Sequence, residues 1–134
     1  MHDAVAKIVL ISGGFDPLHS GHVRLITEAA KMGRLYVALN SNRWLKKKKG
    51  YVFMPWEERA EILRAMRGVV EVLAVDDADG TVCHTLQRVM PAIFANGGDR
   101  VKGHPAEHAV CVKYGIQEVF EVGGYKINSS SALV

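Results

Sequence analysis

The chain has 134 residues, of which 49% are hydrophobic and 23% charged, with a formal net charge of +3. That size and balance suit one globular domain spanning residues 1–134 and exclude a disordered or fibrous chain. No apolar run is long enough to span a bilayer, so no membrane partner is expected.

The first seven residues include Asp3 and lack a cleavage site behind an apolar block, which predicts no signal peptide and a cytoplasmic protein. Cys83 and Cys111 lie far apart without a CxxC spacing, so they predict two reduced, buried thiols and no metal site. The positive charge is local: Lys46, Lys47, Lys48 and Lys49 alone exceed the net charge. The basic residues form no long stripe, so a nucleic-acid partner is not expected.

Residues 6–12 are a short apolar, β-branched run that predicts a buried strand, ended by Gly13 and Gly14. Residues 20–32 carry Val23, Leu25, Ile26, Ala29 and Ala30 at helical spacing, with Gly33 where a helix should stop. Residues 35–39 predict a second strand, and residues 40–52, polar and basic, predict a loop. Pro55 followed by Glu57 and Glu58 opens a helix reaching about Met66. Residues 69–75 predict a third strand, residues 76–80 a turn, and Val82, Leu86 and Val89 the next helix. Residues 92–95 predict a fourth strand, residues 104–114 a helix and residues 117–122 a fifth strand. A last helix is expected to start within residues 126–131.

Strands alternating with helices predict an α/β protein, a Rossmann-like three-layer α/β/α sandwich with a five-stranded parallel sheet. Ligands of such sheets bind beyond the carboxyl ends of the strands. Every loop rich in chemistry-bearing residues follows a predicted strand.

The first of these loops runs Gly13, Gly14, Phe15, Asp16, Pro17, Leu18, His19, Ser20, Gly21, His22. His19 and His22 are three apart at a helix start and share one face. Glycines allow close backbone approach, and a helix start offers unpaired N–H groups and positive partial charge. Two imidazoles at such a place form a receptor for a polyphosphate. As a metal site the pair is poor, because no third ligand accompanies it.

This decapeptide resembles the GxFDxxHxGH loop of the cytidylyltransferase-like nucleotidyltransferases, a branch of the HxGH superfamily. The resemblance implies that His19 and His22 stabilise the transition state at the α-phosphate of a nucleoside triphosphate. It also makes Gly13, Gly14, Phe15 and Asp16 nucleotide contacts, with Asp16 shared by the second substrate. Asn40, Ser41 and Asn42, followed by the lysines and Gly50, resemble the family's NSD…K…KG segment. There Lys46 is the first choice for a catalytic triphosphate contact and Lys49 the second, and Asn40 faces the acceptor. Pro55 to Arg59 resemble a helix start whose arginine often contacts substrate. Arg59 is therefore either a substrate contact or an ordinary surface ion pair, and Trp56 either a pocket wall or, better, a core residue. Asn96, Gly98 and Asp99 resemble the nucleoside-side GGD loop. Ser129 and Ser130 resemble the closing serine–threonine motif that holds the β- and γ-phosphates.

The whole pattern is most similar to heptose-phosphate adenylyltransferases, with glycerol-3-phosphate cytidylyltransferases as the alternative. The latter carry an arginine five residues before the closing hydroxyl pair, where this chain has Gly124, which favours ATP over CTP. The implied partners are a nucleoside triphosphate and a phosphorylated sugar or polyol, with pyrophosphate as product. Magnesium is the implied cofactor, held mainly by the nucleotide phosphates, and a homodimer is the implied assembly. A nucleotide-binding regulatory module without turnover is the non-enzymatic alternative.

Overall fold

A computed structural model describes residues 7–98 and 103–124. In chain order the elements are β1 (Ile8–Gly13), α1 (Ser20–Ala30), β2 (Arg34–Leu39), α2 (Asn42–Lys49), α3 (Trp56–Arg64), β3 (Val69–Ala74), α4 (Cys83–Val89), β4 (Ile93–Gly97), α5 (Pro105–Tyr114) and β5 (Gln117–Val122). The five strands form one parallel sheet in the order β3-β2-β1-β4-β5. The final helix expected within residues 126–131 lies outside the described residues.

The alternation of side chains along a strand produces the layers. On β1, Val9 and Ile11 point to one face and pack with Leu25 and Ile26 of α1 and Leu63 of α3. Leu10 points to the other and packs with Leu86 of α4 and Cys111 of α5. Because both faces are covered, β1 is apolar throughout rather than alternating, as a central parallel strand should be. The three-layer α/β/α arrangement is the one expected from the order of elements.

One element departs from the sequence expectation. Residues 40–52 do not form a continuous loop: they contain the helix α2. Ser41 caps it, its Oγ accepting from the Trp44 N–H at 3.0 Å. Gly50 ends it with φ of 88° and its N–H donating to the Lys46 carbonyl. The four lysines lie in its last turn, where cations complement the helix dipole. Within α2 only Leu45 is buried, so its apolar face is too narrow for periodicity to reveal.

The strand order reverses direction between β1 and β4, which places a crevice at their carboxyl ends. The loops after β1, β2, β4 and β5 all reach it. Both cysteines are buried and unpaired, and burial pushes the Cys111 thiol up to about 12, which makes it chemically inert near neutral pH.

Leu10 has no exposed surface and joins β1 to the α4 and α5 layer. Leu10→Ala is expected to lower unfolding free energy by about 2–5 kcal/mol. Denaturant titration measures this, and a loss below about 1 kcal/mol would contradict the packing described.

Candidate active site

The site begins where β1 ends and α1 starts. His19 is the N-cap of α1, and its Nδ1 accepts the Gly21 N–H at 3.0 Å. His22, three residues on, reaches back, and its Nδ1 accepts the His19 N–H at 3.1 Å. This is a reciprocal capping box built from two imidazoles instead of hydroxyl and carboxylate groups. A ring nitrogen that accepts a backbone N–H carries no proton, so in each neutral imidazole the proton resides on Nε2. The rings stack with centroids 3.8 Å apart, and the edge of Phe15 meets His22 at 4.9 Å. Phe15 is buried, so it acts mainly as a support beneath His22.

The paired rings stand between two crevices. One lies between α1 and the ends of β4 and β5, lined by His19, His22, Gly97, Gly98, Gly123 and Gly124. The other lies between the β1–α1 loop and α2, lined by His19, His22, Gly14, Trp44, Lys48 and Lys49. Ser12, Gly13 and Asn96 line the short passage at the switch point, beside His22. Gly14 suits this place: a Cβ would stand 2.6 Å from Cδ2 of Leu45 and force that buried side chain of α2 to shift.

Three buried polar groups hold these loops. Arg59 is fully buried, and its guanidinium donates to the carbonyls of Met54, Gly14 and Asn40 and to Oδ1 of Asn42, each at 2.8 Å. Burial pulls its pKa down while Asp16, Glu57 and Asp77 push it back up. The Asp16 side chain has no exposed surface. Its oxygens accept from the N–H groups of Phe53 and Met54, both at 2.7 Å, and from Lys49 Nζ at 3.3 Å. Burial raises its pKa, but these two backbone hydrogen bonds and Lys49 outweigh burial and leave it below 3.8. Asp77 accepts from Asn40 Nδ2 and from the N–H and Oγ of Ser41 at 2.7–3.0 Å.

These contacts show how the candidate residues are held. Arg59 is not a surface ion pair: it has no exposed surface, and its Nε, Nη1 and Nη2 all donate to the loops. Asn40 is buried, its side-chain Nδ2 donating to Asp77 and its backbone carbonyl accepting from Arg59, so it helps to orient α2. The Asp16 carboxylate stands in the wall of the crevice by α2, bonded to the backbone and to Lys49. Lys46 is exposed and does not line the lysine crevice. Lys48 and Lys49 do, because they follow Leu45 by three and four residues and share its inward face. Trp56 packs against the core, with Nε1 donating to the Leu39 carbonyl at 3.1 Å.

His19, His22, Gly13, Gly14, Lys49, Asn96 and Gly98 line the two crevices or the passage between them. Asp99, Ser129 and Ser130 lie outside the described residues. Arg24 was not singled out by the sequence; Lys48 carried a signal only as part of the lysine run, and Asp77 only as part of the acidic turn after the third strand. Among the described residues no group of three or more His, Cys, Asp or Glu side chains is placed to hold a metal.

The model of the family described as cytidylyltransferase-like matches residues 10–126. The chain belongs to the cytidylyltransferase-like family. It is 36% identical over 121 residues to the bifunctional protein HldE of Citrobacter koseri, an alignment covering 88% of this chain and 23% of that protein. It is 32% identical over 94 residues to the FAD synthase of Ferroglobus placidus, covering 70% of this chain and 60% of that one. The chain thus spans about a quarter of the HldE proteins it matches. The crystal structure of a lipopolysaccharide core biosynthesis protein from Thermoplasma volcanium shares the fold, with a TM-score of 0.73 at 22% identity over 86% of this chain and 93% of that one. As a cytidylyltransferase-like chain it is a nucleotidyltransferase by class, and none of its described helices is long and apolar enough to cross a membrane.

The depressed pKa of Asp16 makes a signed prediction. Its contribution to stability is complete above the ordinary carboxylate value of 3.8 and is lost as pH falls through its lower folded-state value. Asp16→Asn is expected to cost about 1–3 kcal/mol at neutral pH, since an amide N–H would face backbone donors. The gap between the two proteins should narrow below pH 3.8. Chemical denaturation across pH checks this, and a gap that does not change with pH would contradict the bracket.

Proposed function

We propose that the chain transfers a nucleotidyl group from ATP to a phosphorylated sugar or polyol and releases pyrophosphate. The observation that carries the reading is the shared wall: His19 and His22 line both crevices at once. A two-substrate transfer needs such a wall, because the reacting phosphorus must be within reach of groups from both sides. The nucleoside lies on the glycine side, and the acceptor phosphate lies toward Lys48 and Lys49.

A phosphate oxygen of the acceptor attacks the α-phosphorus in line. The bond to the bridging oxygen of the β-phosphate breaks, and pyrophosphate departs with the electron pair. The Nε2–H groups of His19 and His22 donate to the oxygens on which charge develops, and the start of α1 adds its positive partial charge. α1 has no acidic residue in its first turn, so the helix start keeps its affinity for an anion. This is catalysis by positioning and charge, with no covalent step on the protein.

Magnesium belongs to the proposal as a companion of the triphosphate. The Asp16 carboxylate, in the same loop as the histidines, is bonded to the backbone and Lys49, so no described side chain is assigned to the ion. Adenylate as the transferred group draws support from the FAD synthase relative, whose named product contains it, and from the missing arginine at Gly124. The HldE relatives and the motif spacing favour a heptose-1-phosphate type of acceptor. CTP with a glycerol-3-phosphate type of acceptor is the second reading, on the same site geometry. A homodimer in the cytoplasm completes the proposal.

His19→Asn isolates the chemistry from the fold. Asparagine caps helices well, so stability should change by less than about 1 kcal/mol. Loss of the Nε2 donor should lower kcat at least about a hundredfold. Pyrophosphate release with ATP, magnesium and a panel of sugar 1-phosphates measures this. A variant that folds and turns over at the wild-type rate would remove the mechanism.

A further inference from the structure

We infer that Arg24 holds the nucleobase of the bound nucleotide. The inference rests on the nucleotidyl-transfer reading and assigns a contact that the motifs do not contain.

Arg24 lies on α1, one turn beyond Gly21. Long helical side chains lean toward the helix N-terminus, and here that brings Nη2 back to 3.9 Å from where a Cβ on Gly21 would stand. Nη2 is buried and has no hydrogen-bond partner among the described residues. A guanidinium N–H removed from water without an acceptor is costly, so a polar partner arriving with a ligand would relieve it.

The surroundings identify the ligand's chemistry. The crevice beside Arg24 is walled by Gly21, Gly97, Gly98, Gly123 and Gly124, with Leu25 and Val122 behind them. Gly123 has φ of 86°, and a Cβ on it would come within 2.9 Å of the Leu25 backbone nitrogen. The end of β5 is therefore pressed on the backbone of α1. Beside the two imidazoles, walls of glycine backbone backed by apolar residues make a slot for a flat ring. A tetrahedral phosphate would gain nothing from Leu25 or Val122, and no acidic side chain lines the slot among the described residues. The guanidinium is planar and carries only donors, which match the ring-nitrogen and carbonyl acceptors on a base edge and allow stacking on its face. Phosphates, by contrast, would meet the imidazoles that both crevices share and the lysines of α2 in the second.

Calorimetric titration of ATP, CTP and inorganic tripolyphosphate into the wild-type protein, Arg24→Gln and Arg24→Lys tests the inference. The glutamine variant should bind the preferred nucleotide about tenfold to a hundredfold more weakly, with tripolyphosphate affinity unchanged. Lysine should not rescue nucleotide binding, because it keeps the charge but loses the plane. An equal loss for nucleotide and tripolyphosphate, or rescue by lysine, would place Arg24 on a phosphate and overturn the inference. Unchanged nucleotide binding in both folded variants would overturn it while leaving the nucleotidyl-transfer reading intact. A wild-type protein that binds neither nucleotide would sink both.

Discussion

Two backbone N–H groups at the start of α1 donate to imidazole nitrogens, and the site follows from that pair of hydrogen bonds. By accepting at Nδ1, His19 and His22 satisfy donors that a helix start otherwise leaves open. The same bonds fix each ring's orientation and leave Nε2 as the proton-bearing atom. Structure and chemistry are thus one interaction: the cap that starts the helix prepares two hydrogen-bond donors beside its positive end. Stacking of the rings and the edge of Phe15 hold them there.

The surrounding loops are kept in place by buried charge. Arg59 draws together the loops after β1 and β2 and the chain before α3. Asp16 fastens Lys49 and the backbone at residues 53 and 54, and Asp77 fastens the start of α2. Each charge is buried among partners that satisfy it, which is the condition under which burial is tolerated. The division of labour is clear: buried acids and the buried arginine shape the crevices, while histidines and lysines line them.

The architecture was readable because each strand is a short segment rich in apolar, β-branched or aromatic residues and each loop after it carries Gly, Asn or His. The start of α1 was readable for the same reason, since glycines, two histidines and a helical pattern fall within ten residues. The helix α2 was not, because its single buried residue, Leu45, gives no period. The helix also separates the lysines: anchored by Leu45, it sets Lys48 and Lys49 along the crevice and leaves Lys46 outside its lining. The roles of Arg59, Asp16 and Asn40 depend on partners up to 45 positions away, and no local pattern distinguishes a buried clamp from a ligand contact. Arg24 was unreadable for a similar reason: only the approach of β5 at Gly123 turns an ordinary helical arginine into the wall of a slot.

The most direct measurement of the central claim is the tautomeric state of the two histidines. Long-range proton–nitrogen correlation spectra on nitrogen-15-labelled protein report it without touching the site. Both His19 and His22 should show the Nε2–H tautomer when neutral, and both Nε2 resonances should move when a non-hydrolysable ATP analogue and magnesium are added. An Nδ1–H tautomer at either residue, or Nε2 signals indifferent to the analogue, would contradict the account.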